Sequence, residues 1–157
     1  MTDTACGLSG QVHSILRDRM GFIKEERFGP NTVVTKGKEN VVRLMSSQSG
    51  VPFKWVGIGT ASTGVTSTDA SLGAEIVTYG GVRTLSTQSI TTVYSSNDSA
   101  QFVAVWTFSG SLNVAESGIF NNSSSLAGDM LCRQTFTAIP VQSGDQLTIT
   151  WKVTATS

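Results

Sequence analysis

The chain has 157 residues with 11 basic and 11 acidic side chains, a formal net charge of zero, and only 14% charged residues, against roughly 25% in ordinary globular proteins. Its length suits a single domain that can bury a core without disulfide or metal staples. A pI of about 6.5, with no basic cluster and no aromatics interleaved with Lys or Arg, excludes nucleic-acid binding as its business, and no run of about 18 apolar residues offers a membrane span.

Ser and Thr make up about a quarter of the chain, beside 16 Gly; Thr suits half-buried pleated surfaces and Ser and Gly suit turns, so β structure is expected. The charge is uneven: residues 1–54 carry eight Lys/Arg against five Asp/Glu, and residues 55–157 carry three against six. Such asymmetry can steer self-association or docking on an acidic surface. Cys6 and Cys132 are too few and too far apart for a metal site or a disulfide framework. Both read as free thiols, Cys132 as a small core residue, which suits synthesis in a reducing compartment. Met1 to Gly10 contain Asp3 and no apolar run, unlike a signal peptide.

In chain order, residues 1–20 are expected to form an N-terminal arm ahead of a single β-sandwich domain over 21–157. The first twelve are small and polar, and residues 13–21 have the makings of one or two helical turns stopped by Gly21. Residues 22–28 read as a first strand closed by a turn at Gly29, Pro30 and Asn31. The one helix falls over residues 36–47, with Val41, Val42, Leu44 and Met45 as an apolar stripe and Thr35 as its cap; it is expected to cover one end or face of a sheet.

Residues 54–75, KWVGIGTASTGVTSTDASLGAE, begin with a short strand carrying Trp55, Val56 and Ile58. Gly57 and Gly59 interrupt it, permitting either a close backbone approach or a bulge. A Thr-rich loop and a capped turn around Asp69 follow. A GxG pair before a Thr-rich loop could suggest a phosphate cradle, but no Lys follows and no long helix begins there. From residue 75 onward every element reads as strand: 75–84, 89–94, 101–109, 115–120, 129–137 and 146–154. Phe102, Ala104, Trp106 and Phe108 alternate with polar or smaller residues, as do Leu147, Ile149, Trp151 and Val153, so each set marks a core face. About eight strands at this spacing and one short helix predict a mainly β, two-sheet antiparallel sandwich, jelly-roll or Ig-like.

No catalytic constellation emerges. His13 is the only histidine and would have to serve any Ser-His-Asp or Cys-His arrangement. A glycosidase pair could draw on Asp69, Glu75, Glu116 or Asp145. Turns account for Asp69 and Asp145, however, and an ion pair with Arg83 or Arg133 accounts for Glu116. No metal ligands cluster, so no catalytic residue, cofactor, metal or small-molecule ligand is assigned.

Five segments, taken in order, carry a resemblance. They are KWVGIGT with TSTDASLGAEI (Trp55, Gly57, Gly59, Thr60, Asp69, Leu72, Glu75), the helix region NTVVTKGKENVVRLM before them, AESGIFNN (Glu116, Gly118, Ile119, Phe120, Asn121), GDMLCRQTF (Met130, Leu131, Cys132, Arg133, Phe136) and DQLTITWKVT (Leu147, Ile149, Trp151). As a set over roughly residues 30–155 they resemble virion structural proteins of tailed bacteriophages, a group that includes capsid decoration (cement) proteins and tail- or fibre-associated domains. The resemblance implies a β-sandwich without catalytic residues. On it, the protein is expected on the capsid surface of a virion after synthesis in the bacterial cytoplasm. It would be a homotrimer bound to the major capsid protein, with no nucleic acid and no membrane as partner. Arg17, Arg19, Lys24 and Arg27 are the expected partner contacts. The alternative is a tail or fibre module that binds host glycans or a receptor. The absence of any coiled-coil or collagen-like shaft favours decoration.

Overall fold

The computed structural model describes residues 7–156, and Cys6 lies outside the described residues. The chain is a sandwich of two antiparallel five-stranded sheets. Its elements are β1 (Gly7–Arg17), β2 (Ile23–Pro30), β3 (Thr32–Val33), α1 (Thr35–Met45), β4 (Trp55–Gly59), β5 (Thr84–Leu85), β6 (Thr87–Thr91), β7 (Ser99–Thr107), β8 (Leu112–Phe120), β9 (Met130–Val141) and β10 (Gln146–Thr156). One sheet runs β2-β1-β10-β7-β6 and the other β3-β9-β8-β4-β5.

The period-two patterns put the core where they should. Phe102, Ala104, Trp106 and Phe108 from β7 and its end, and Leu147, Ile149, Trp151 and Val153 from β10, meet Val56, Ile58, Ile119, Leu131, Cys132 and Ile139 of the facing sheet. Two indole N–H groups reach across this interior. Trp151 Nε1 donates to Ser117 Oγ at 3.2 Å, and that hydroxyl donates to the Gly57 carbonyl at 2.9 Å. Trp106 Nε1 donates to the Val82 carbonyl at 2.8 Å. Buried indoles need such partners, and each bond pins one sheet or segment to another.

Four expectations are corrected. The N-terminal arm expected over residues 1–20 is, from Gly7 to Arg17, an interior strand paired along its length with β10 and over most of it with β2. Residues 13–21 therefore hold no helix: Val12, Ser14 and Leu16 point inward at period two, and Asp18 organises the turn by accepting from the N–H groups of Met20 and Phe22. Residues 75–83 are not a strand. Apart from a single bridge between Gly59 and Glu75, they follow an irregular path, with Tyr79 (φ 50°) in the left-handed region just before Gly80. The short edge strands β3 and β5 and the strand β1 bring the total to ten rather than about eight.

The helix forms as expected, but Thr35 does not cap it. Val34 holds the cap position and no side chain closes the first turn. Its apolar stripe is also only half used. Val41 packs on the core, while Val42 and Met45 are exposed. What anchors α1 is instead Gly37 on β9 and Asn40, whose side chain bonds both the carbonyl (2.7 Å) and the N–H (3.2 Å) of Val51. A Cβ at Gly37 would lie 2.5 Å from the Leu131 carbonyl oxygen. Gly37→Ala would stabilise an isolated helix by about 1 kcal/mol. Here it is expected to destabilise the protein by about 1–3 kcal/mol, because backbone cannot yield as a side-chain tip can; urea unfolding of the variant measures the sign.

Candidate functional site

Three of the five segments that carry the resemblance, those of Trp55–Glu75, Glu116–Asn121 and Met130–Phe136, converge on a buried polar cluster beside β8. Glu116, central in that strand, has no exposure. Its carboxylate accepts four hydrogen bonds, from the backbone N–H groups of Ala61 (3.3 Å), Gly73 (3.0 Å) and Ala74 (2.8 Å) and from Arg133 Nε (2.9 Å), and Arg133 Nη2 lies 2.8 Å away as the closest contact of the ion pair. Arg133, opposite Gly118 on β9, turns its other nitrogen to Asp69 at 2.8 Å. Asp69 in turn accepts from the Thr66 N–H (3.1 Å) and hydroxyl (2.7 Å).

A second buried pair lies nearby. Arg83 grips Glu75 with two bonds, Nε to Oε1 at 2.6 Å and Nη2 to Oε2 at 3.0 Å, and donates to the carbonyls of Asn122 and Ala127. Its guanidinium lies 3.5 Å from the centre of the Phe120 ring, a stacked arrangement that suits a planar cation. The two glycines of β4 make room for these groups. A Cβ on Gly59 would run into the Glu116 carboxylate and the Ala74 carbonyl, and one on Gly57 would touch Phe120 at 3.0 Å. The motif glycines thus serve close approach rather than a bulge.

Glu116 has no solvent access, and both of its carboxylate oxygens are engaged by hydrogen bonds. The other three carboxylates considered for catalysis are likewise engaged: Asp69 and Glu75 as above, and Asp145 by Lys24 (2.6 Å) and the Gln142 N–H (2.9 Å). His13 sits on the outer face of β1, 2.6 Å from Glu26 and edge-on to Phe28. Cys132 is buried on β9, where loss of hydration pushes its thiol far up and leaves it protonated and unreactive. Among the described residues, no group of three His, Cys, Asp or Glu side chains gathers as a metal site would need, and no helix is long and apolar enough to cross a membrane.

The four basic residues expected as partner contacts cluster at the β1–β2 end, yet most have internal duties. Arg17 donates to the Gly21 carbonyl (3.0 Å), Lys24 pairs with Asp145, and Arg27 with Glu25 at 2.8 Å. Arg19 is exposed in the turn, with no ion pair among the described residues. Two grooves flank the sandwich. One of about 290 Å³ lies between β2 and β9 and is lined by Ser14, Arg27, Phe28, Gln134 and Phe136. An apolar one of about 330 Å³, at the end covered by α1, is lined by Leu8, Val41, Phe53, Phe102 and Val153. No protein-family model, curated protein or solved structure matches the chain.

Removing one partner of the central cluster tests its weight. Arg133→Met leaves Glu116 buried without its cation and is expected to cost about 3–5 kcal/mol in urea unfolding, whereas Arg19→Met should cost less than about 0.5 kcal/mol.

Two aspartates set an acid limit. Asp98 is held well below its ordinary value of 3.8, first by the Ser95 N–H, against the opposing loss of hydration, then by the N–H groups of Val93 and Tyr94 and the Ser99 hydroxyl. For Asp69, lost hydration pushes upward, but the bonds from Thr66 and Arg133 outweigh it and hold the carboxyl low. Groups depressed on folding contribute stability that is complete above their unfolded value and is lost as pH falls through the folded one. Thermal melts from about pH 7 to about pH 2 should therefore show Tm falling below about pH 4, with a shallower acid slope and a lower neutral Tm in Asp98→Asn.

Proposed function

We propose that the protein is a non-enzymatic structural component of a tailed-bacteriophage virion, binding the outside of the capsid lattice as a decoration protein. One observation supports this reading above others: the residues that carry the resemblance, far apart in sequence, meet in one connected framework. Gly57, Gly59, Asp69, Glu75, Glu116, Phe120 and Arg133 form the buried cluster and its surroundings, and Trp151 joins it through Ser117. A likeness built on such residues is a likeness of scaffold and not of an active centre. Clamping a lattice requires surface area spread over many copies and no reacting group. Three copies around a three-fold axis give the closed ring expected of a soluble homo-oligomer, with the major capsid protein as partner.

In this reading Arg19 is the exposed cation of the basic end and the group that meets the lattice. Removal of residues 1–20 would delete β1, an interior strand that joins β2 to the rest of its sheet, so a point change is the informative one. Arg19→Glu is expected to weaken binding to capsids by at least about tenfold while leaving Tm unchanged. Quantitative mass spectrometry of purified virions should give a copy number in a small, symmetry-set ratio to the major capsid protein. A few copies matching tail symmetry would move the protein to the tail and make host glycan or receptor binding its role. Absence from the particle would overturn the reading altogether.

A further inference from the structure

The two outer strands of the β2-β1-β10-β7-β6 sheet are treated very differently. Strand β2 bears Lys24, Glu25, Glu26 and Arg27 in a row and ends at Pro30, devices that discourage a further strand from pairing. Strand β6, Thr-Gln-Ser-Ile-Thr, is paired only with β7, is exposed along most of its length and carries no charge and no proline. The sequence on either side of it is nearly as bare, with the exposed Lys54 as the nearby cation, its carbonyl accepting from the Ser86 N–H. Between residues 76 and 97 the one charged residue is Arg83, which is buried and paired with Glu75. Over the same stretch Tyr79, Val82, Leu85, Ile90 and Tyr94 are exposed, the last two by more than 70%. Strand β5, one edge of the second sheet, is joined to β6 through Ser86, so these two edges lie on the same side of the sandwich.

We infer that β6 pairs antiparallel with β6 of a second copy of this chain about a two-fold axis. A strand with unpaired backbone on one side is a ready template for another strand, and an edge without charge meets its own copy with no like-charge repulsion. Centring the axis on Ser89 sets Thr87 opposite Thr91 of the second copy and Gln88 opposite Ile90. The hydroxyls of Thr87, Ser89 and Thr91 then share one face, and Gln88 lies against Ile90 on the other, with no charge on either. The pairing continues one sheet into ten strands and brings the exposed apolar residues of the flank together from both chains. This inference does not rest on the virion reading.

Sedimentation of the full chain across a dilution series tests it. The expected species is a dimer, or a multiple of two such as a hexamer if a three-fold contact is also present. Ile90→Lys, at an exposed position, should raise the dimer dissociation constant at least about tenfold with no change in far-UV circular dichroism or Tm. In a Cys6→Ser background, Ser89→Cys should give a disulfide-linked dimer on mild oxidation, since the axis places residue 89 beside its own copy. A monomer, a trimer indifferent to Ile90→Lys, or a dimer that Ser89→Cys fails to link would overturn the pairing. So would a chain that is monomeric alone and takes up another protein's extended segment at β6.

Discussion

A carboxylate without solvent in the middle of a sheet is tolerable only when donors meet it from several directions. Glu116 obtains one of its four, and its ion pair, from Arg133 on the neighbouring strand and three from backbone N–H groups of the segment after β4. Through that one side chain the sandwich holds down a long stretch that has almost no regular structure of its own. Arg133 extends the hold to Asp69 and its turn, and Arg83 with Glu75 fastens the far end of the stretch against Phe120. Residues 60–83 would otherwise carry backbone groups with no ladder to satisfy them. Buried charge here takes the place that strand pairing holds elsewhere in the fold.

The apolar core depends on the same region. Ser117 follows Glu116 and points the opposite way, into the interior, where it receives the Trp151 indole from the other sheet and passes a bond to Gly57. Adjacent residues of β8 therefore serve opposite faces: one orders the loop outside the sheet, the other sets the height of a tryptophan between the sheets. The packing of β10 and the course of the loop after β4 are coupled through two consecutive residues of one strand.

Strands β7 and β10 were legible in the sequence because an inward set of large apolar residues alternated with smaller or polar outward ones, β4 because Trp55, Val56 and Ile58 are grouped, and α1 because its apolar residues recur at helical spacing. Strand β1 was not legible, for a local reason. Ser14 occupies an inward position where an apolar residue would have shown the alternation, and Ile15 beside Leu16 mimics a helical pair. Residues 75–83 failed in the opposite sense. Ile76, Val77 and Tyr79 have strand-like composition, but composition says nothing about whether a neighbouring strand exists, and beyond the bridge at Glu75 none does. Of the two partners weighed for Glu116, Arg133 is the one that binds it. Arg83, equally plausible on charge, is committed to Glu75 eight residues away. Such choices are made by register, which no spacing rule carries.

Low charge, taken as a property of the whole chain, turns out to be a property of one side. Seven of the charged residues lie between Arg17 and Arg27, along the β2 edge, while the opposite flank from 76 to 97 exposes none. A sheet open at both edges would invite unlimited addition of strands. A sheet guarded at one edge and open at the other behaves differently. An isologous contact consumes both open edges at once and leaves a guarded β2 at each end of the joined sheet, so growth stops at two chains. Segregating the charge thus does what spreading it evenly could not, permitting one strand-to-strand contact while forbidding the next.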